Sequence, residues 1–427
     1  MLKFTFDNRH AYCDGVSRRS FLQVGAMSLG GLTLAGLLRA EAQAGVGNSH
    51  KAIINIHLGG GPSHQDMFDL KPNAPVEYRG EFNPIHTNVS GIDICEHFPK
   101  LAQMADKFAV IRSLVGSSAG HSNYQTHSGF NQRDLENVGG RPAMGSVISH
   151  LKGPTPSGAP PFVSSNGGEP GFLGPAFRPY KPDGAGRANL SLNSGMTEDH
   201  LADRTSLLGS LDRVRRDMDR TGRMEAMDSF TQKATEVVTS GTLADALDVR
   251  KEDPKVQERY GNRDGSNFLL ARRMIEAGVR MVSFNWGSWD THSNNFTKLR
   301  DQLPKLDIAM SALIEDLEQR GMLNDVSIVM WGEFGRTPRV NNNGGGRDHW
   351  PKLAGAFLAG GGMQTGQVIG KSTKYAEEAL ERPVHFQEVH ATLLQNLGIN
   401  PVAQQIEDPA GRPQYLLEHR DPIGELV

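Results

Sequence analysis

The sequence predicts an α/β fold in which a mostly parallel sheet carries helices on both faces. Apolar, β-forming runs at 51–58, 108–114, 279–285 and 326–331 alternate with helical stretches, the order expected of strand–helix–strand units. Between the last two runs, Phe296, Leu299, Leu303, Leu306, Met310, Leu313 and Leu317 recur every three or four positions, a single stripe for packing on a sheet. Polar loops rich in Gly, Asp, Glu and His follow four of the strands, where open α/β sheets place their sites.

In chain order, residues 1–44 come first. Ser17-Arg18-Arg19-Ser20-Phe21-Leu22 leads into an apolar stretch over 24–38, and Ala42-Gln43-Ala44 closes it with a small-x-small cleavage pattern. Paired arginines before Phe-Leu mark a twin-arginine signal. That predicts the twin-arginine export machinery as a partner and a folded product in the periplasm or outside the cell. The alternative is a buried amphipathic helix behind two basic residues; the stretch is short for a membrane span, and no later segment is long and apolar enough to cross a bilayer. Cleavage after Ala44 leaves Cys95 as the one cysteine, which excludes an internal disulfide.

Residues 45–427 then form one α/β domain. The first strand, 51–58, opens into the tight loop Gly59-Gly60-Gly61-Pro62. A helix over 98–107, a strand over 108–114, a helix over 144–151 that Pro142 introduces, and a short strand at 161–165 follow. Residues 196–277 are polar, charged and helix-forming, with Pro254 as a break, and read as a mostly helical insertion. The strand at 279–285 and the long striped helix come next; Gly321 ends the helix, and Pro304 argues against a coiled-coil seam. The strand at 326–331, an apolar run at 353–358 and a helix at 386–397 complete the pattern. A net charge of −3 leaves no electrostatic footprint for nucleic acid or an acidic membrane surface.

The loops hold the chemistry. Gly61-Pro62-Ser63-His64-Gln65-Asp66-Met67-Phe68-Asp69 follows the first strand, and Gly116-Ser117-Ser118-Ala119-Gly120-His121-Ser122, then His127, the second. Trp289-Asp290-Thr291-His292 follows the strand at 279–285; Gly332-Glu333-Phe334-Gly335-Arg336 and Arg347-Asp348-His349 follow the one at 326–331. Carboxylates and imidazoles without a thiolate suit a divalent Zn, Mn, Fe or Ca ion. The candidate ligands are Asp66, Asp290, His292, Glu333, Asp348 and His349, and the candidate catalytic residues are His121, Ser118 and Arg336. Each has a plainer reading: Asp66 or Asp69 as a cap, Asp290 and His292 as solvated loop residues, Asp348-His349 as part of a flap. Glu333, directly after an apolar strand, needs a partner in either case, Arg336 or a metal.

The runs Gly60-Gly61-Pro62-Ser63-His64-Gln65-Asp66-Met67-Phe68-Asp69, Gly140-Arg141-Pro142-Ala143-Met144-Gly145-Ser146, Trp289-Asp290-Thr291-His292, Trp331-Gly332-Glu333-Phe334-Gly335-Arg336-Thr337-Pro338, Gly346-Arg347-Asp348-His349-Trp350-Pro351 and His390-Ala391-Thr392-Leu393-Leu394 resemble an exported, sulfatase-like family still described as a domain of unknown function. That family resembles the alkaline phosphatase superfamily. The resemblance implies a three-layer α/β/α sandwich, one or two metals at the strand ends, and a Ser, Thr or modified Cys nucleophile or a metal-bound water attacking phosphorus or sulfur. By position, Asp66 or Asp69 matches the aspartate after the first strand and Asp290 with His292 one metal pair. Glu333 matches the next carboxylate, His349 the late histidine, and His121 falls in the nucleophile loop. Three departures stand out: the formylglycine sulfatase motif is absent from 115–130, Glu333-Phe334 stands where the superfamily has Asp-His, and the Asp290–His292 spacing is tighter than in the phosphatases. No nucleophile is forced, Ser117, Ser118 and Ser122 all being open. The expectation is a metal-dependent hydrolase of a small-molecule or glycan phosphate or sulfate ester, with Arg336 or Arg347 on an anionic substrate oxygen; the alternative is a non-catalytic exported envelope or carbohydrate-binding protein on the same fold.

Overall fold

The computed structural model describes residues 50–183 and 241–427. The predicted signal at 1–44 and the part of the helical stretch at 196–240 lie outside the described residues. The compact unit is Lys51–Val427.

An eight-stranded sheet runs through it. In chain order the strands are β1 (Ala52–His57), β2 (Phe108–Val115), β3 (Phe162–Ser164), β4 (Met281–Asn285), β5 (Val326–Trp331), β6 (Ala354–Gly360), β7 (Gln367–Ile369) and β8 (Val384–His385). Their order across the sheet is β7-β2-β6-β5-β1-β4-β3, and β8 also pairs with β2, beyond the end of β7. Every ladder is parallel except the two that β6 makes with β2 and β5. The strands other than β6 therefore end at one edge, as the predicted mostly parallel sheet requires.

Alternation along β1 sorts the two helical layers. Ala52, Ile54 and Ile56 pack with α3 (Ser266–Glu276) and α4 (Asn295–Gln319). Ile53 faces the opposite way, with α2 (Met144–Lys152) and α5 (Phe386–Asn396). Both faces being covered, β1 is buried throughout, which is why it reads as a continuous apolar run. The result is a three-layer α/β/α sandwich. The α4 stripe is the sheet-facing side: Leu299, Leu303, Leu306, Leu313 and Leu317 are fully buried. The helix continues through Pro304, which sits on its half-buried side, and stops where Gly321 takes φ +69° and the Met322 amide reaches back to Leu317 O (2.8 Å).

Two segments differ from the sequence reading. The helix expected over 98–107 is a single turn, α1 (Pro99–Ala102), followed by a 3₁₀ turn at Ala105–Lys107. Asp307 of α4 accepts from the Lys100 and Leu101 amides (2.9 and 2.8 Å), so the turn is pinned to α4 at its start. The described end of the stretch read as an insertion carries Thr242–Leu247, Pro254–Arg259 and α3; the last packs Phe268, Leu269 and Ile275 into the core and is part of the layer. Pro254 opens a helix there, in the first turn where a missing N–H costs nothing. Cys95 is a free, buried thiol. Among the described residues no helix is long and apolar enough to cross a membrane.

Candidate functional site

The carboxyl edge of the sheet gathers the loops after β1, β2, β4 and β5. Tight backbone contacts hold them: the Trp286 amide donates to His57 O (3.0 Å) and the Trp289 amide to Gly59 O (2.9 Å). Glycine is required at two positions. Gly60 has φ +104° and a Cβ there would lie 2.4 Å from the Asp290 nitrogen; Gly61 has φ +73° and its Cβ would strike the Phe334 ring, also at 2.4 Å. The chain after β5 turns into a short antiparallel ribbon in which Arg336 pairs with His349. That ribbon carries the late histidine back over the edge.

Three acceptor atoms meet there. His292 Nε2 lies 3.1 Å from Asp290 Oδ1, His349 Nε2 lies 3.3 Å from the same oxygen, and the two nitrogens are 3.0 Å apart. The other nitrogen of each ring is already committed. His349 Nδ1 donates to Ala119 O (3.0 Å), and His292 Nδ1 donates to Asp348 Oδ1 (2.6 Å). In neutral rings both Nε2 atoms are then bare lone pairs facing a carboxylate oxygen, which calls for a proton or a cation among them. Ligands ~2.0–2.2 Å from one ion stand ~2.8–3.1 Å from each other at octahedral angles and ~3.3–3.6 Å at tetrahedral ones, and these separations fall in that range. His121, Asp290 and His349 also offer ligand atoms within 4.8 Å of one another.

A second pair adjoins the first. Thr126 Oγ1 donates to Asn123 O (2.9 Å), so it accepts from His57 Nδ1 (3.1 Å), and His57 Nε2 is left facing Glu333 Oε2 at 3.3 Å. That oxygen is buried without a hydrogen-bond partner, while Oε1 accepts from the Gly60 amide (2.8 Å). His121 joins the two groups, its Nδ1 3.3 Å from Glu333 Oε1 and its Nε2 3.5 Å from Asp290 Oδ2; about half of its side chain is exposed, so it faces solvent.

The carboxylates are held ionised. Burial pushes the Glu333 carboxyl up, but a proton on the facing His57 Nε2, together with the Gly60 amide, outweighs it and brings it below the usual range. Burial also raises Asp290; the Arg336 hydrogen bond and charge turn the balance downward, and His349 and His292 add to it when they carry a proton at Nε2. Asp348 is lowered chiefly by the hydrogen bond from His292. Phe334 covers the cluster from one side, its ring 4.2 Å from that of His349 and 5.4 Å from that of His121.

The structure brings Asp290, His292, His349, Glu333 and His121 together and sets Asp348 directly behind His292. It does not bring Asp66 to them. The Asp66 carboxylate accepts two hydrogen bonds from Arg347 (2.8 and 2.9 Å), one from Asn295 (2.9 Å) and one from Ser63 (2.5 Å) in a buried ion pair. Asp69 is spent on Lys71 and Ser372. Neither arginine is free for a substrate anion. Arg336 is fully buried and donates to the carbonyls of Gly61, Gly60 and Arg347 and to Asp290; Arg347, also fully buried, donates to Asp66, Thr337 O, Pro338 O and Tyr78 O. Both are braces of the loops. Ser118 is exposed and tied by its amide to Gln125 Oε1 (3.3 Å); Ser117 donates its hydroxyl to Pro351 O (2.6 Å). His57 and Thr126 were missed in the sequence, although a histidine ending a buried apolar strand was a signal.

Fold and site together define a three-layer α/β/α protein with an acidic and imidazole cluster at the carboxyl rim of its sheet. The chain belongs to the family described as protein of unknown function (DUF1501), whose model matches residues 50–427. No curated protein sequence matches it. Among solved structures it is similar to the PsFucS1 sulfatase from Pseudoalteromonas sp., with 12% identity and a TM-score of 0.39 over 92% of this chain and 73% of that one. It is also similar to Ps i-CgsB in complex with k-i-k-neocarrahexaose, with 11% identity and a TM-score of 0.36 over 82% of this chain and 72% of that one.

Proposed function

We propose that the protein is an exported, metal-dependent hydrolase of a phosphate or sulfate ester. The observation that carries this reading is the meeting of two bare imidazole acceptors, His292 Nε2 and His349 Nε2, with Asp290 Oδ1, which Arg336 holds in place, at the mutual spacing of ligands to one ion, each ring fixed from behind by Asp348 or Ala119 O. These three residues would hold the ion, and the facing pair His57 and Glu333 would hold a second. A divalent ion there supplies Lewis-acid polarisation of the ester oxygen. The imidazole–carboxylate set fits Zn, Mn or Fe better than Ca, which takes oxygen ligands. Export rests on the arginine pair and apolar stretch at 17–38.

The chain's own residues divide the remaining work. His121, half-exposed with carboxylates at both nitrogens, is placed to take a proton from the attacking water and return it to the leaving alcohol. The water oxygen bonds to phosphorus or sulfur, the ester oxygen departs with that proton, and no covalent enzyme intermediate is needed. Arg336 and Arg347 orient the loops. The engagement of the Ser117 hydroxyl argues against that serine as the nucleophile, and it also favours the second reading, a binding protein without catalysis.

The test is metal analysis of protein purified without a chelating tag, together with turnover of aryl phosphates, phosphodiesters and aryl sulfates by wild type, Asp290→Ala and His349→Ala. Bound divalent metal and turnover that both variants lose is the expected result. A metal-free, inert wild type rejects the hydrolase.

A further inference from the structure

Beside the cluster lies a second, distinct concavity. A helix, Tyr124–Ser128, forms the wall between them: Thr126 contacts His57 on the cluster side, and the next residue, His127, lines a cavity of about 210 Å³. Ser122, Asn123, Tyr124, Ser128, Gln132 and Glu169 add the other polar side chains of its lining.

His127 is the unusual group. It is 1% exposed, and neither ring nitrogen has a hydrogen-bond partner. Asn166 passes close enough to raise the ring's basicity a little, but the bonds its polar atoms form within hydrogen-bond geometry go to Ser164 (2.9 Å), Asn285 (3.0 Å) and Asn123, and none reaches the ring. Burial holds the ring neutral, its pKa lowered to about 3, so it offers one donor and one acceptor. A buried polar ring with nothing to bind costs stability, and a group kept at that cost has a reason to be there.

The approach to the ring is kept open by backbone. Gly168, at φ +93°, would place a Cβ 3.2 Å from His127 Nδ1 and 2.6 Å from the Phe162 ring. Gly167, at φ +106°, would place one 3.2 Å from the Asn123 amide. Any larger residue at these two positions crowds the cavity.

From these features we infer that the cavity is a binding pocket for a neutral, hydroxyl-rich ring, a single sugar-like unit. No Lys or Arg lines it, and the lining carboxylate, Glu169, already faces Arg178 outside the cavity (3.7 Å), so an anionic group has no free partner there. Amide, hydroxyl, carboxylate and neutral imidazole supply donors and acceptors side by side, the pattern that adjacent hydroxyls satisfy because each both donates and accepts. Ala143 and Tyr124 give it an apolar side for C–H groups. The volume falls below the ~300–1,000 Å³ of pockets for drug-sized ligands, so one small ring fills it. Because Ser122 follows His121 directly, a ring bound here lies next to the candidate site, where it could be the alcohol part of an ester. That use as a leaving-group subsite rests on the hydrolase reading; the pocket itself does not.

The experiment titrates the full chain with methyl glycosides and myo-inositol by ligand-observed NMR, comparing wild type, His127→Leu, His127→Gln and Asp290→Ala. Millimolar binding of at least one polyol to wild type and to Asp290→Ala is expected. His127→Leu should weaken it about tenfold, the loss of one or two hydrogen bonds. That variant removes an unpartnered polar ring and should melt no lower than wild type, so lost binding is not lost folding; His127→Gln should recover part of the affinity. Absence of binding to wild type, or equal binding by His127→Leu, overturns the pocket. An inert, metal-free protein that still binds polyols through His127 overturns the hydrolase and leaves the pocket standing.

Discussion

Replacing Asp66 with Asn separates a structural carboxylate from a metal ligand. The side chain is 1% exposed and its two oxygens accept four hydrogen bonds, two of them from the fully buried Arg347 guanidinium. Asn keeps one oxygen and turns the other acceptor into a donor, so an N–H of Arg347 or Asn295 is left facing an NH₂. Two charge-assisted bonds at ~1.5–3 kcal/mol each give the same range as the ~3–5 kcal/mol measured when one partner of a buried ion pair is removed. Set against a total stability of ~5–15 kcal/mol, the variant folds but is badly weakened. Urea unfolding followed by tryptophan fluorescence reads the loss, and metal analysis of the folded fraction should give the wild-type stoichiometry. A variant that keeps its unfolding midpoint but loses metal that the wild type binds would refute the assignment and return Asp66 to the proposed metal site.

Further outcomes follow from the same geometry. Asp348→Asn removes the carboxylate that orients His292 and should lower metal affinity ~10–100-fold, read by competition with a chromogenic chelator; unchanged affinity would mean His292 needs no support. Gly60→Ala drives a Cβ into the Asp290 backbone in a left-handed conformation costing ~1–3 kcal/mol before the clash, and should abolish metal binding or soluble expression; a normal metal content would show the loop is slack. Acid should unfold the protein early. His64, His127 and His390 are buried with pKa values lowered to about 4, 3 and 4, so the unfolded chain binds more protons than the native one below the ordinary value of 6.5. Their stabilisation is full above 6.5 and falls as pH drops toward 4, by up to ~4 kcal/mol per pH unit for three protons at ~1.4 kcal/mol each. The depressed carboxylates Glu333, Asp290 and Asp348 add their loss only at lower pH still, as the pH falls through their native values. Denaturant midpoints that stay flat from pH 7 to 5 would contradict this.

What the sequence exposed and what it hid have a common physical cause. Strands and sheet-packed helices declare themselves because burial acts along the chain: β1 and β5 are buried on both faces and read as unbroken apolar runs, and the α4 stripe is periodic because one side of it meets the sheet. The rim residues were legible as types, since Asp290, His292, Glu333 and His349 all follow strands that end at the same edge. Their roles were not, because a role is a choice of partner across the chain. Asp66 and Asp290 look alike in sequence, each an aspartate in a glycine-flanked loop; what divides them is that Arg347, 281 residues from Asp66, delivers a full guanidinium to one and only a single Arg336 N–H reaches the other. The arginines were misjudged for the same reason. An arginine beside a glutamate in a glycine-rich loop reads as a substrate clamp, yet the backbone turns that the glycines permit expose main-chain carbonyls, and Arg336 is consumed by three of them. Glycine-rich loops at a sheet edge thus create their own demand for buried donors, and the arginine nearest such a loop belongs first to the backbone.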